Sequence, residues 1–276
     1  MIKKENYTIA GAGGRLMLAD LTYDDTRSRG PMIIFSHGFN GFKDWGAYNL
    51  MADYFARQGF RFLKFNYSHN GTTPAQPVNY ADLIAYSENT FSIELDDLGR
   101  IIDFACNGTA IPRAQSVTLM GHSMGGGISI IKAAEDKRVS NLVTMAAIAG
   151  FRNLWLEEDE AQWRLQGVQY FLNGRTGMEM PVKSGLLDDL DRNPVRLNIA
   201  AKAAEITVPW LLVHGDMDTI IPLNHAHQLK AAQPAAELLV IQKADHVLNT
   251  AHPYPYNTLT VEMQEFCDAT VKFLRN

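Results

Sequence analysis

Short apolar runs alternate with segments of helical periodicity along most of this chain, and few folds are compatible with that alternation. The predicted strands are 31–35, 60–67, 116–120, 139–147, 208–213 and 237–241, and the predicted helices are 44–58, 93–105, 124–134 and 258–274. Short apolar runs suit strands that are buried on both faces. The alternation therefore predicts an α/β fold with a mostly parallel central sheet and helices on both faces. Residues 5–10 and 15–23 predict an N-terminal hairpin with a plain glycine-rich turn.

Composition and charge exclude several classes of protein. Of the 276 residues, 46% are hydrophobic and 20% are charged, which is typical of a globular chain. The net charge of −5 argues against nucleic-acid binding, which needs a basic face. No apolar run reaches about 18 residues, so we expect no membrane-spanning helix. The first residues lack the apolar segment of a secretory signal, so we expect a cytoplasmic protein with Cys106 and Cys267 as reduced thiols.

A segment from 152 to 185 interrupts the alternation. It is rich in Trp, Glu, Gln, Met and Arg and contains no recognisable strand run. We interpret it as a cap over the carboxyl edge of the sheet, with residues 1–151 and 186–276 forming the core domain. Four of its aromatic residues are candidates to line an acyl or aromatic pocket: Trp155, Trp163, Tyr170 and Phe171. Packing of the inserted segment onto the core is the simpler explanation for them.

The sequence Gly121-His122-Ser123-Met124-Gly125 lies where a predicted strand turns into a predicted helix. In that context the pattern predicts a sharp turn that exposes the serine hydroxyl at the carboxyl end of the sheet. The flanking glycines give the strand and the helix room to approach, and the helix N-terminus favours negative charge. Ser123 is therefore the candidate nucleophile.

A serine nucleophile needs a general base later in the chain, with an acid between them. His246 follows the strand 237–241 and is expected at the same edge of the sheet as Ser123, with His252 as the alternative base. His225 and His227 lie near a predicted helix start, where a surface or capping role is expected.

The acid is expected in the loop that follows the strand 208–213. Asp218 lies far enough into this loop to reach back to His246 and orient it. Asp216 directly follows a glycine and is expected to serve the turn, although it remains the alternative acid.

The oxyanion of an acyl-transfer intermediate needs two N–H donors. The backbone amides of Met124 and Phe39 are the candidates, Phe39 lying in the loop after the first parallel strand.

Together these motifs resemble the α/β-hydrolase fold over nearly the whole chain. His37-Gly38-Phe39-Asn40-Gly41, the Ser123 pentapeptide, the loop 214–222 and Ala244-Asp245-His246 are similar to the dienelactone-hydrolase-like and cinnamoyl (feruloyl) esterase-like branch. The resemblance implies a triad of Ser123, Asp218 and His246, with Phe39 and Met124 forming the oxyanion hole. Serine at position 123 departs from true dienelactone hydrolases, which usually carry cysteine there, and from haloalkane dehalogenases, which carry aspartate.

The sequence thus predicts a serine hydrolase of carboxylic esters with small or aromatic acyl groups. A prolyl-oligopeptidase-like peptidase or amidase and an acyltransferase stay open, because both would use the same triad. A ligand-binding homologue without catalysis is disfavoured, since every triad member is present. No cofactor or metal is expected, because no metal-ligand spacing or nucleotide loop is present. The expected partner is a small-molecule ester, without nucleic acid or membrane, and homodimer formation stays open.

Overall fold

The computed structural model describes all 276 residues and contains ten strands and nine α-helices. The strands are β1 (Ile2–Ala10), β2 (Leu16–Asp24), β3 (Met32–Ser36), β4 (Arg61–Phe65), β5 (Val117–His122), β6 (Val139–Met145), β7 (Val168–Leu172), β8 (Glu179–Lys183), β9 (Trp210–Gly215) and β10 (Glu237–Ile241). The α-helices are α1 (Tyr48–Arg57), α2 (Leu83–Ser87), α3 (Phe91–Asn107), α4 (Met124–Glu135), α5 (Asp159–Gln166), α6 (Gly185–Arg192), α7 (Ile199–Ala204), α8 (Asn224–Ala232) and α9 (Val261–Arg275). None of these helices is both long enough and apolar enough to cross a membrane.

The main sheet has eight strands in the order β1-β2-β4-β3-β5-β6-β9-β10. The first three strands of this order pair antiparallel, and every pairing from β4 to β10 is parallel. The prediction of a mostly parallel sheet with an N-terminal hairpin is therefore confirmed. Because parallel strands share one direction, the loops after β3, β5, β9 and β10 all leave at the same edge of the sheet.

Helices cover both faces of the sheet because the parallel strands are apolar on both sides. Ile33 and Phe35 of β3 point to one face, where they join a cluster with residues of α1 and α9. Met32 and Ile34 point to the opposite face and join the larger cluster, which includes residues of α3 and α4. Because successive side chains of a strand point to opposite faces, this one five-residue strand contributes to the hydrophobic cores on both sides of the sheet.

The segment 152–185 folds separately from the main sheet. It contains α5 and an antiparallel hairpin in which Val168 pairs with Lys183 and Leu172 pairs with Glu179. The expectation that this segment has no strand is wrong. In β8, exposed Glu179 and Lys183 alternate with buried Met180 and Val182, and β7 has no fully buried residue, so neither strand is a run of buried apolar side chains. The division of the chain into core and cap at these boundaries remains a prediction.

Close contact between β5 and α4 requires glycine at two positions. A Cβ atom on Gly121 would lie 2.3 Å from the Gly125 carbonyl oxygen and 2.6 Å from Ser129 Oγ. A Cβ atom on Gly125 would lie 2.3 Å from the His37 carbonyl oxygen. The N-terminus of α4 therefore packs on β5 and on the loop after β3 with direct contact between their backbones.

We expect Gly121→Ala to destabilise the protein, because the added methyl group meets backbone rather than a movable side chain. The expected loss in the free energy of unfolding is about 2–3 kcal/mol. Urea denaturation followed by tryptophan fluorescence would measure it. Gly185→Ala is the matched control, since a Cβ there meets no atom within 4 Å. Equal stability of the two variants would contradict the steric argument.

Candidate active site

Ser123 occupies the junction between β5 and α4 in a strained backbone conformation. Its φ is 56° and its ψ is −121°, a region that non-glycine residues rarely adopt. Two backbone contacts hold this conformation: the Ser123 N–H donates to the Met145 carbonyl oxygen at 3.0 Å, and the Gly126 N–H donates to the Ser123 carbonyl oxygen at 3.0 Å. The hydroxyl makes no hydrogen bond within the protein, and the residue lines a cavity.

His246 and Asp218 come from two neighbouring loops at the same edge of the sheet. The His246 Nδ1–H donates to Asp218 Oδ2 at 2.8 Å. His246 lines the same cavity as Ser123, and its ring centroid lies 4.7 Å from that of His122, the neighbour of Ser123 in the chain. The structure thus brings the predicted nucleophile, base and acid together.

The alternative residues are placed elsewhere. His252 Nδ1 accepts from the Gly46 N–H at 3.0 Å, and its ring stacks on Trp45. Asp216 accepts from the Lys243 N–H at 2.6 Å, in the turn role expected for it. His225 is buried, and its Nδ1 accepts from the Ala149 N–H at 3.1 Å. The expected surface or capping role of His225 is therefore wrong, while His227 is exposed as expected.

Asp218 accepts three hydrogen bonds and contacts a second histidine. Oδ1 accepts from the backbone amides of Ile220 and Ile221 at 3.0 and 2.8 Å, and Oδ2 accepts from His246 at 2.8 Å. His214 Nε2 lies 3.2 Å from Oδ2 and donates to the Ile221 carbonyl oxygen at 2.7 Å. Burial alone would raise the pKa of Asp218, but its contacts with His214 and His246 outweigh burial and hold the pKa well below its usual value. Asp218 is therefore an ionised carboxylate that fixes the His246 ring.

His122 is a neutral histidine that supports the loop carrying His246. Burial and, to a smaller extent, the nearby His246 lower the pKa of His122 to about 3. Its Nε2 lies 3.0 Å from the His246 carbonyl oxygen, so Nε2 carries the proton and donates it. The Tyr48 hydroxyl then donates to His122 Nδ1 at 3.0 Å. In the sequence, His122 is only a residue of the turn at Ser123, because its partners Tyr48 and His246 are 74 and 124 positions away.

The backbone amides of Phe39 and Met124 have no acceptor within the protein. Met124 is the first residue of α4, where the N–H groups of a helix lack intrahelical partners. The loop carrying Phe39 packs directly on the nucleophile, because a Cβ atom on the preceding Gly38 would lie 3.0 Å from Ser123 Cβ. Both predicted donors are thus unpaired N–H groups next to Ser123, as an oxyanion site requires.

A buried ionic network anchors the chain just after this loop. Lys43 Nζ and Lys64 Nζ contact Asp20 Oδ2 at 2.6 and 2.7 Å, and both lysines also contact Asp44. Burial raises the pKa of Asp20, but Lys64 and Lys43 outweigh this effect and the pKa is lowered. The end of the loop after β3 is therefore tied to β2 and β4 by ion pairs between two lysines and two aspartates.

The cavity beside Ser123 has a volume of about 420 Å³, within the range of small-molecule sites. One wall comes from the loop after β3 and from Tyr48. Another part of the wall is formed by Asn173, Gly174 and Arg175, in the turn of the cap hairpin. Arg175 was not predicted from the sequence, where its only signal is a lone arginine in the turn-forming segment Asn173–Gly177.

The four cap aromatics predicted to line the pocket do not line this cavity. Trp163 is fully buried, and its indole N–H donates to the Val182 carbonyl oxygen at 2.8 Å. Trp155 and Phe171 pack on Trp163 with ring centroids 5.4 and 5.5 Å away, whereas Tyr170 is exposed. Trp155, Trp163 and Phe171 hold the cap together and onto the core, because an inserted segment must bury apolar surface to stay folded.

A family model described as "alpha/beta hydrolase fold" matches residues 31–177 of this chain. Among curated proteins, a monoacylglycerol lipase of Mycolicibacterium smegmatis is 23% identical over 248 residues, covering 80% of this chain and 81% of the lipase. A 2-hydroxy-6-oxononadienedioate/2-hydroxy-6-oxononatrienedioate hydrolase of Burkholderia vietnamiensis is 24% identical over 267 residues, covering 87% and 89% of the two chains.

Solved structures show the same architecture at low sequence identity. Est1E from Butyrivibrio proteoclasticus is similar with a TM-score of 0.71 and 16% identity, covering 98% of this chain and 99% of its own. A putative hydrolase from Agrobacterium vitis gives a TM-score of 0.72 at 19% identity, covering 99% of each chain. The fold therefore extends over the whole chain, including the part beyond residue 177.

We expect Asp218→Asn to lower the free energy of unfolding by about 1–3 kcal/mol at pH 7. The single oxygen of the amide cannot accept from His246 and from two backbone amides at once, so buried donors lose their partners. Because the folded-state pKa of Asp218 is lowered, its contribution is full above the unfolded pKa of about 4 and declines as the pH falls below it.

Urea titrations at neutral and acidic pH would test this expectation. Asp216→Asn is the matched control, since Asp216 is exposed and accepts one backbone hydrogen bond. Equal losses in the two variants, or a difference between Asp218→Asn and the wild type that grows on acidification, would contradict the assignment of Asp218 as a buried carboxylate.

Proposed function

Because the chain belongs to the α/β-hydrolase fold family, we propose that it is a serine hydrolase that cleaves carboxylic esters. One observation carries this proposal. A strained Ser123 without a hydrogen-bond partner shares a cavity with His246, whose other ring nitrogen is bound by the ionised Asp218. This arrangement supplies a nucleophile, a base that retains a free nitrogen, and a group that orients the base.

In the proposed reaction, His246 Nε2 takes the proton of the Ser123 hydroxyl as its oxygen attacks the ester carbonyl. The negative charge that develops on the carbonyl oxygen is stabilised by the Phe39 and Met124 amides. The alcohol leaves with a proton from His246, and an acyl-enzyme remains on Ser123. Water activated by His246 then releases the acid and restores Ser123.

Ester cleavage is preferred among hydrolase reactions because of the named relatives and the size of the cavity. One relative is named as a lipase, and Est1E has been solved with ferulic acid bound. A cavity of about 420 Å³ has room for a small or aromatic acyl group rather than for a triglyceride. No feature of this structure favours peptidase, amidase or acyltransferase activity over ester hydrolysis. The assay described below distinguishes these activities from ester hydrolysis.

We expect 4-nitrophenyl esters from acetyl to dodecanoyl to be hydrolysed, with an optimum among the shorter chains. Ser123→Ala and His246→Gln should each lower kcat by about 10⁴-fold or more, because each removes a member of a unit that acts together. Initial rates of 4-nitrophenol release measure this loss. His252→Gln is the matched control, since His252 bonds to Gly46 rather than to Asp218, and it should keep most of the activity.

The same assay with aminoacyl 4-nitroanilides separates the alternatives. Turnover of anilides without turnover of esters would replace the esterase with a peptidase or amidase. Stimulation of product release by added alcohols, with formation of the new ester, would indicate acyl transfer. Ester turnover that persists in Ser123→Ala would contradict the proposed nucleophile.

A further inference from the structure

Arg175 is held at the cavity by the turn of the cap hairpin. Asn173 Oδ1 accepts from the backbone amides of Arg175 and Thr176, each at 3.1 Å. The Gly177 N–H donates to the Asn173 carbonyl oxygen at 2.8 Å, and the Asn173 N–H donates to the Met178 carbonyl oxygen at 2.9 Å. The position of the Arg175 backbone is thus fixed by four hydrogen bonds around one buried asparagine.

The guanidinium group of Arg175 lies on aromatic rings instead of on an acid. Its central carbon is 5.3 Å from the centroid of the Phe42 ring and 5.8 Å from that of the Tyr80 ring. Such contacts orient the planar group, because the positive charge is attracted to the faces of the rings. Other cap arginines are different: Arg152 and Arg164 each form ion pairs with Asp or Glu side chains.

The charge of Arg175 has no counter-ion in the protein. Its Nε and Nη2 atoms are buried without a hydrogen-bond partner. The polar side chain that contacts the guanidinium group is the Tyr80 hydroxyl, which burial keeps neutral and which supplies no negative charge. Unsatisfied donors on a charged group are costly, so the site is incomplete without an acceptor.

The rest of the cavity wall offers no negative charge that could serve. No Asp or Glu lines it. Burial lowers the pKa of His37 to about 4, and it is neutral like His122. Arg175 therefore carries the only permanent charge on the wall of a cavity that also contains Ser123.

We propose that Arg175 binds a carboxylate of the substrate, so that the enzyme prefers esters that carry a second, anionic group over neutral esters of the same shape. The unpartnered cation in the Ser123 cavity carries this inference, which rests on the proposed function and narrows its substrate class. Arg175 contacts the part of the substrate remote from the reacting carbonyl and therefore acts on specificity rather than on bond cleavage.

The test compares charged and neutral esters in matched pairs. Mono-(4-nitrophenyl) glutarate and its methyl ester place the charge on the acyl side. 4-Acetoxybenzoate and methyl 4-acetoxybenzoate place it on the alcohol side. For at least one pair, the wild type should favour the anion, and Arg175→Met should lower kcat/KM for the anion about 10- to 100-fold while changing the neutral partner less than about threefold.

Two further variants make the comparison specific. Arg175→Lys keeps a charge without the planar group, and it should keep part of the preference. Arg164→Met removes a cap arginine that lies outside the cavity, and it should leave the preference unchanged. Equal preference for charged and neutral esters in the wild type, or equal losses on both in Arg175→Met, would overturn the inference.

A binding experiment separates this inference from the proposed function. In the Ser123→Ala background, calorimetry should detect glutarate or benzoate binding that is at least tenfold weaker after Arg175→Met. If esters are hydrolysed through Ser123 without charge preference and neither acid binds, the esterase stands and the carboxylate site fails. If the acids bind through Arg175 but no ester is hydrolysed, the carboxylate site stands and the esterase fails.

Discussion

The geometry of the candidate site depends on two glycines where β5 meets α4. Because Gly121 and Gly125 have no side chain, the backbones of the strand, the helix and the loop after β3 come into direct contact. The same approach forces Ser123 to a positive φ, at a cost of roughly 1–3 kcal/mol that the surrounding backbone hydrogen bonds offset. The unpaired amides of Met124 and Phe39 lie beside the serine for the same reason. One steric condition thus positions the nucleophile and both candidate donors.

The second condition is the distribution of charge around the cavity. His37 and His122 are kept neutral by burial, and the charges of Lys43 and Lys64 are neutralised by Asp20 and Asp44. The carboxylate of Asp218 accepts from three donors. The charges of Lys43, Lys64 and Asp218 therefore have partners, whereas that of Arg175 in the cap has no counter-ion. An uncompensated positive charge in a cavity without other charges attracts an anionic group strongly, because no nearby charge opposes the attraction.

Sequence patterns predicted the parts of this structure that depend on local periodicity. The parallel strands were predicted because each is a short run that is apolar on both faces. The turn at Ser123 was predicted because the strand and the helix can approach each other there only if glycine stands at positions 121 and 125. The hairpin of the cap was missed because β8 carries Glu179, Pro181 and Lys183 and β7 has no fully buried residue, so neither resembles a strand of the core. The buried role of His225 was missed for a different reason. Its partner, Ala149, lies 76 positions away, and no local pattern reports such a contact.

The cap and the oxyanion loop are in direct contact, and this links specificity to the reaction chemistry. Phe171 of the cap packs edge-on against Phe39 with ring centroids 5.7 Å apart. Arg175 of the same hairpin lies on the ring of Phe42, three residues further along the loop. The cap therefore supports the segment that carries one candidate donor, and it also forms part of the cavity wall. A substitution in the hairpin that shifts these two contacts changes the position of the Phe39 amide as well as the binding of the substrate. The charge of Arg175 and its packing on Phe42 must therefore be varied separately.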